Sequence, residues 1–182
     1  MPLDFKKLNE LFRQKCASLS IAPTNYWLYV SIAEQKLWLM AGQTAIRSCV
    51  CSTSKNQPSC IADSLGTPTG LHAIGEKIGG DAQPGAVFKG RVCVAEHFSQ
   101  LSAAEQSGNL ITTRILRLKG LEPDHNGRPK DNAWERFVYL HGTNHQEKLG
   151  QRFSAGCVLL GDDDIIPLYE TLEMDDLVWI DG

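Results

Sequence analysis

The sequence predicts a mainly β domain, a sandwich or barrel-like core with peripheral helices, and three observations carry that prediction. Short apolar runs bounded by turn residues recur along most of the chain, helical periodicity is confined to two segments, and 182 residues suffice for one core without cross-links. The division expected is an N-terminal helix over 1–22 packed on a single domain over 23–182.

Leu8, Leu11, Phe12, Cys16 and Leu19 recur at helical spacing among charged residues, so the first segment is an amphipathic helix with Asp4 as its N-cap. After Pro23 the pattern shortens to strands. Tyr26 to Ile32 and Lys36 to Met40 form a hairpin across Ala33-Glu34-Gln35, and Ala41-Gly42-Gln43 turns the chain into a third run, Ile46 to Cys51. A polar loop from Ser52 to Ser59 and the turn Thr67-Pro68-Thr69-Gly70 lead to a strand at Leu71 to Ile74. The glycine-rich stretch Gly75 to Gly90 reads as an exposed connection, followed by strands at Arg91 to Ala95 and Ile111 to Leu118. Glu122 to Asn132 reads as a surface loop, Phe137 to Leu140 as a strand running into His141-Gly142, and Leu177 to Ile180 as the last strand. Between them Asp164 is expected to cap a helix from Ile165 to Leu172, with Pro167 in its first turn.

Composition narrows the classes of function. With 42% hydrophobic and 21% charged residues and a net charge of -3, the chain reads as a globular protein, and the absence of any basic run argues against a nucleic-acid partner. No apolar stretch has the length of a bilayer span, so no membrane insertion is expected. The charged N-terminus lacks a secretory h-region, and six cysteines do not form a dense disulfide framework. The expectation for the chain as written is a cytoplasmic protein, and for one trimmed of a leader a periplasmic or exported one. The oligomeric state is left open.

The chemistry-bearing segment is Tyr139-Leu140-His141-Gly142-Thr143-Asn144, followed by Ser154-Ala155-Gly156-Cys157. A histidine at a strand end and a cysteine in a loop of small residues supply the two parts of thiol acyl transfer, with His141 as base and Cys157 as nucleophile. A neighbouring imidazolium can draw a thiol from about 8.5 down to roughly 3.5–7.5, which predicts a thiolate at Cys157. Gly156 permits close approach of substrate, the Cys157 amide is placed to receive an oxyanion, and the Gly142 carbonyl can fix the imidazole tautomer. The blander reading is a buried thiol and a structural histidine, the commoner fate of isolated residues of these types. A zinc site would use Cys49, Cys51, Cys60 and Cys93, or His141, His145 and Cys157 with the aspartates 162–164, but neither set has the paired spacing of a structural zinc site.

The order of motifs goes further. His141-Gly142-Thr143, Leu149-Gly150 and Ser154-x-Gly156-Cys157 resemble the catalytic signature of the YkuD-like L,D-transpeptidases, in which an HG histidine precedes an SHGC-type cysteine loop. Gly66-Thr67-Pro68-Thr69-Gly70-Leu71-His72 resembles that family's TPxG segment, and the likeness spans Tyr26 to Ile180. It implies a β-sandwich of mixed sheets with an N-terminal helix and a helix after the cysteine loop, and no metal or other cofactor. It also implies acyl transfer at the L-centre of the diamino acid in peptidoglycan stem peptides or muropeptides, with D-alanine leaving. On this reading Cys157, His141, Gly142 and Gly156 carry the chemistry.

Two positions depart from the family pattern. Ala155 stands where the signature has its second histidine and Leu159 where it has arginine. With that arginine gone, the substrate carboxylate needs another partner, and Arg91, Arg114 and Arg152 offer a fork-shaped one. Arg91 and Arg152, with Ser154, Tyr139 and His72 from the matched segments, are the substrate-binding candidates. Cytoplasmic residence favours water as acceptor, an L,D-carboxypeptidase that trims tetrapeptides in murein recycling. The alternatives are a transpeptidase that cross-links or exchanges D-amino acids, and a domain that binds muropeptides without turnover.

Overall fold

The computed structural model describes residues 3–182. Ten strands and three α-helices follow in the order α1 (Phe5–Ser18), β1 (Tyr26–Ser31), β2 (Lys36–Ala41), β3 (Thr44–Val50), β4 (Gly70–Ile78), β5 (Val87–Lys89), β6 (Val92–Ala95), α2 (Ala103–Gln106), β7 (Ile111–Gly120), β8 (Tyr139–Gly142), β9 (Val158–Leu160), α3 (Asp162–Thr171) and β10 (Leu177–Asp181). The strands form one mixed sheet in the order β3-β2-β1-β10-β4-β7-β5-β6, with β8 on β7 and β9 parallel to β8. Just after β3, Ser52 pairs with Leu159 of β9 through both backbone bonds, at 3.0 and 2.8 Å, which closes the path into a ring.

Alternation along the strands sorts two cores. Leu28 and Val30, Leu37 and Leu39, and Val178 and Ile180 point into the ring with Leu116, Leu118, Leu140, Val158 and Leu160, and α3 seals it with Ile165, Leu168 and its C-cap Leu172. The opposite side chains of the same strands, Trp27, Tyr29, Trp38, Met40 and Leu177, face Leu8, Phe12 and Cys16 of α1. Asp4 caps that helix by accepting from the amides of Lys6 and Lys7 at 3.1 Å each, and Phe12 stacks on Trp27 with centroids 3.9 Å apart.

Several boundaries differ from those read from sequence. Residues 75–90 are not one exposed connection: β4 runs on to Ile78, and Ala86, Val87 and Phe88 are buried, Val87 and Phe88 pairing with β7. The late helix begins at Asp162 with Gly161 as N-cap, so all three aspartates occupy the first turn, where the helix dipole favours negative charge. Pro167 consequently lies inside the helix and cannot donate to Asp163; that carbonyl instead accepts from Arg47 Nη2 at 2.9 Å. The strand read as 137–140 starts at Tyr139, because Phe137 adopts φ 54° and turns outward.

Candidate active site

β8 and β9 bring the sequence-predicted pair to one place. His141 lies opposite Leu159 and Leu140 opposite Val158 in the parallel register, and Leu140, Val158 and Leu160 fill the ring core. By alternation Tyr139, His141, Cys157 and Leu159 occupy the other face together. Gly142 lies opposite Thr112 of β7, and a Cβ there would stand 2.8 Å from the Thr112 carbonyl oxygen, so only glycine allows β8 this close to β7.

His141 is buried, and its ring Nδ1 lies 2.7 Å from the Gly142 carbonyl oxygen. The carbonyl can only accept, so Nδ1 carries the proton and Nε2 is the lone-pair nitrogen, with no partner among the described residues. Burial pushes the imidazole down to about 4, partly opposed by the bond to Gly142. Cys157 Sγ accepts from the Tyr139 amide at 3.4 Å and lies 3.6 Å from the Phe137 carbonyl. Burial pushes the thiol up to about 11, against the pull of the Tyr139 amide and the Arg136 charge. The expected thiolate is therefore not the resting state: at neutral pH thiol and imidazole are both uncharged, because neither gains enough from its neighbours to offset desolvation.

The cysteine loop is built by Ser154. Its hydroxyl donates to the Cys157 carbonyl at 2.6 Å and accepts from the Gly156 amide at 3.2 Å, while Gly156 takes φ 125°, a conformation that suits glycine. Ser154 is buried and committed to this turn, so it shapes the loop and is not a substrate contact. A cavity of about 350 Å³ opens at Cys157 between residues 62–65 and 130–138, and Ala155 and Gly156 line it with the sulfur. His141 does not line it.

The remaining candidates divide. The Tyr139 ring packs edge-on to His141 at 6.5 Å and its amide serves Cys157, so it belongs to the site as a buried support. Arg91 reaches Tyr139, lies over the Phe137 ring and pairs with Glu76 at 3.9 Å, beside the cavity and outside its lining. His72 is corrected: it is fully buried in β4, with Nδ1 3.0 Å from the Gly70 carbonyl and Nε2 3.3 Å from Asn126 Nδ2, a structural tie beneath the 122–132 segment. Arg152 is exposed and directed to the Ile32 carbonyl at 3.4 Å, and Arg114 is buried with both its bonds, at 2.7 Å, going to the Ala82 and Thr113 carbonyls. Neither lines the cavity. The arginine that does is Arg136, which sequence reasoning passed over. No group of three or more metal-ligating side chains is assembled among the described residues.

The family model of the L,D-transpeptidase catalytic domain, YkuD, matches residues 25–180. Among solved structures, an L,D-transpeptidase from Mycobacterium smegmatis superimposes with a TM-score of 0.55 at 16% identity, covering 87% of this chain and 59% of that one. L,D-transpeptidase 3 from Mycobacterium tuberculosis, in complex with a faropenem-derived adduct, gives 0.54 at 12% identity, covering 87% and 60%. Residues 123–326 of the Xylanimonas cellulosilytica enzyme give 0.53 at 12%, covering 88% and 62%. At these identities the likeness is one of fold, and the chain spans about 60% of the length of the first of these structures. A search of curated protein sequences finds no match. The matched segment covers nearly the whole chain, from before β1 to the penultimate residue of β10, and the chain belongs to the family of YkuD L,D-transpeptidase catalytic domains.

Proposed function

We propose that this chain is a cysteine acyltransferase that cleaves the bond between the diamino acid and D-alanine of peptidoglycan tetrapeptides with water as acceptor, an L,D-carboxypeptidase of murein recycling. The observation that carries the chemistry is the shared face of β8 and β9: it presents Cys157 at the cavity and His141 with Nε2 uncommitted.

Because both groups start neutral, the thiol proton passes to His141 Nε2 as sulfur attacks the scissile carbonyl. The imidazolium is held by the Gly142 carbonyl, and the oxyanion is met by the Cys157 amide, which has no partner among the described residues. Collapse breaks the C–N bond, D-alanine takes the proton from His141, and an acyl thioester remains on Cys157. A water molecule then gives its proton to Nε2 and its oxygen to the acyl carbon, releasing the tripeptide acid and the thiol. Hydrolysis is favoured over cross-linking by the size of the site: about 350 Å³ is at the small end of ligand pockets, room for one peptide end rather than a donor and an acceptor stem together. A cytoplasmic location fits this role.

The test incubates the protein and its Cys157→Ser variant with a purified muramyl tetrapeptide, with and without an excess of a second D-amino acid, and follows products by mass spectrometry. Loss of D-alanine only with the parent protein, giving tripeptide in both mixtures, is the expected result. Exchange product outweighing tripeptide would make the enzyme a transpeptidase. Binding with no turnover under either condition would leave a muropeptide-binding domain.

A further inference from the structure

The cavity at Cys157 holds a half-buried arginine that the family signature does not place there. Arg136 Nη1 donates to the Ser59 carbonyl at 2.9 Å, and Nη2 donates to the Gly66 carbonyl at 2.7 Å and to Ser64 Oγ at 3.3 Å. One planar guanidinium thus fixes the whole 59–66 segment, a geometry that lysine's point charge cannot reproduce. That segment abuts the cysteine loop, since a Cβ on Gly156 would lie 3.5 Å from the Gly66 carbonyl and 3.6 Å from that of Leu65. Leu159, standing where the family has arginine, is fully buried and opposite His141, so no cation comes from that position.

The charges around the sulfur make Arg136 the one that counts. Asp63, Glu135 and Lys130 also line the cavity, but all three are exposed, where water and salt screen them. The Tyr139 backbone amide contacts the sulfur, and His141 on the same face of β8 is held neutral by burial. Arg136 alone among the lining charges is partly withdrawn from solvent.

We propose that Arg136 is a positioning residue of the reaction: it clamps the 59–66 wall onto the Cys157 loop and places there the positive charge that favours negative sulfur. The inference rests on Cys157 being the nucleophile, and its first readout does not need turnover. Parent, Arg136→Gln and Arg136→Lys proteins are alkylated with iodoacetamide between pH 7 and 9.5, and modification of each cysteine is read by peptide mass spectrometry, with exposed Cys93 as internal control.

Removing an opposite charge near a thiol typically moves its titration by about one to three pH units, so Arg136→Gln should slow Cys157 alkylation at least about tenfold at pH 8.5 and leave Cys93 unchanged. Arg136→Lys should restore most of that rate while keeping a lowered kcat on tetrapeptide, because the charge returns and the fork does not. Superimposable Cys157 profiles for parent and Arg136→Gln would overturn the proposal. So would a Lys variant as slow to alkylate as Gln, which would mark a purely structural role. Should Arg136→Gln fail to fold by thermal melt, Arg136→Lys decides: parent-like alkylation with reduced kcat supports the inference, and parent-like kcat overturns it. If the parent alkylates in an Arg136-dependent way yet turns over no tetrapeptide, the carboxypeptidase reading fails and the role of Arg136 stands.

Discussion

His72 and His141 are two versions of one local design put to different uses. Each is buried in a strand, each gives its Nδ1 proton to a glycine carbonyl, Gly70 at 3.0 Å and Gly142 at 2.7 Å, and each is pushed down to about 4 by burial. They differ in the second nitrogen. Nε2 of His72 meets the Asn126 amide, so both ring nitrogens are spent on structure, whereas the His141 ring shares its face with Cys157 and its Nε2 has no partner among the described residues. A depressed imidazole is thus no mark of function by itself; what stands beside the free nitrogen separates a structural tie from a base.

The sharpest way to break this comparison is to remove each ring in turn. His141→Gln should lower kcat/KM by about 10³-fold or more, because general base and nucleophile act as a unit and losing either removes most of the advantage of both. Its melting temperature should stay within a few degrees of the parent, since among the described residues the ring's only hydrogen bond is the one to Gly142. Tetrapeptide kinetics and a thermal melt check both, and a fully active His141→Gln would remove this histidine from the mechanism. His72→Ala should do the opposite: about 2–4 kcal/mol of stability lost by chemical denaturation, from the cavity left in a packed strand. Asn126 still donates to the Thr69 and Leu71 carbonyls, which limits the damage, and kcat of the folded fraction should be near that of the parent.

The likeness between the two rings can be tested by acid. Both are neutral when folded and have pKa values near 4, below the ordinary value of 6.5, so between those limits the unfolded chain binds more protons than the folded one. Their contribution to stability is complete above about pH 6.5 and is lost as pH falls through 4. At about 1.4 kcal/mol per pH unit this amounts to at most about 3 kcal/mol per ring. Denaturation midpoints measured from pH 7 to 4 should therefore fall less steeply in His72→Gln than in the parent, and less steeply by a similar amount in His141→Gln. Parallel slopes in parent and variants would mean that the rings are not kept neutral by burial.

How legible these features were depended on whether their causes are local. The ring strands were readable because Leu28, Val30, Leu37 and Leu39 alternate with Trp27, Tyr29 and Trp38, and the candidate pair His141 and Cys157 could be named because the HG and SxGC motifs are contiguous. β9 was missed because three consecutive apolar residues carry no period, and β5 because its pairing with β7 hides inside a glycine-rich stretch. The start of α3 was misplaced because Asp164 looks like a cap, while the carbonyl orphaned by Pro167 is met by Arg47, far away in sequence. Arg136 left no trace for the same reason: its partners Ser59, Ser64 and Gly66 are 77, 72 and 70 residues distant. His72 was misassigned because its motif neighbours suggested a substrate contact, when Asn126 makes it part of the scaffold.

The smallest effect concerns Ala155, where the family signature holds a second histidine. His141, the proposed base, already has its tautomer fixed by the Gly142 carbonyl, and Ala155 is an exposed residue of the cavity lining, so a histidine restored there would meet substrate or solvent rather than complete the pair. Ala155→His should change kcat on tetrapeptide by less than about fivefold, a shift of under about 1 kcal/mol in the barrier, with any larger change confined to KM. A gain in kcat of a hundredfold would show that the site was working without a group its chemistry needs, and the division of labour between the two buried rings and this loop would have to be redrawn around residue 155.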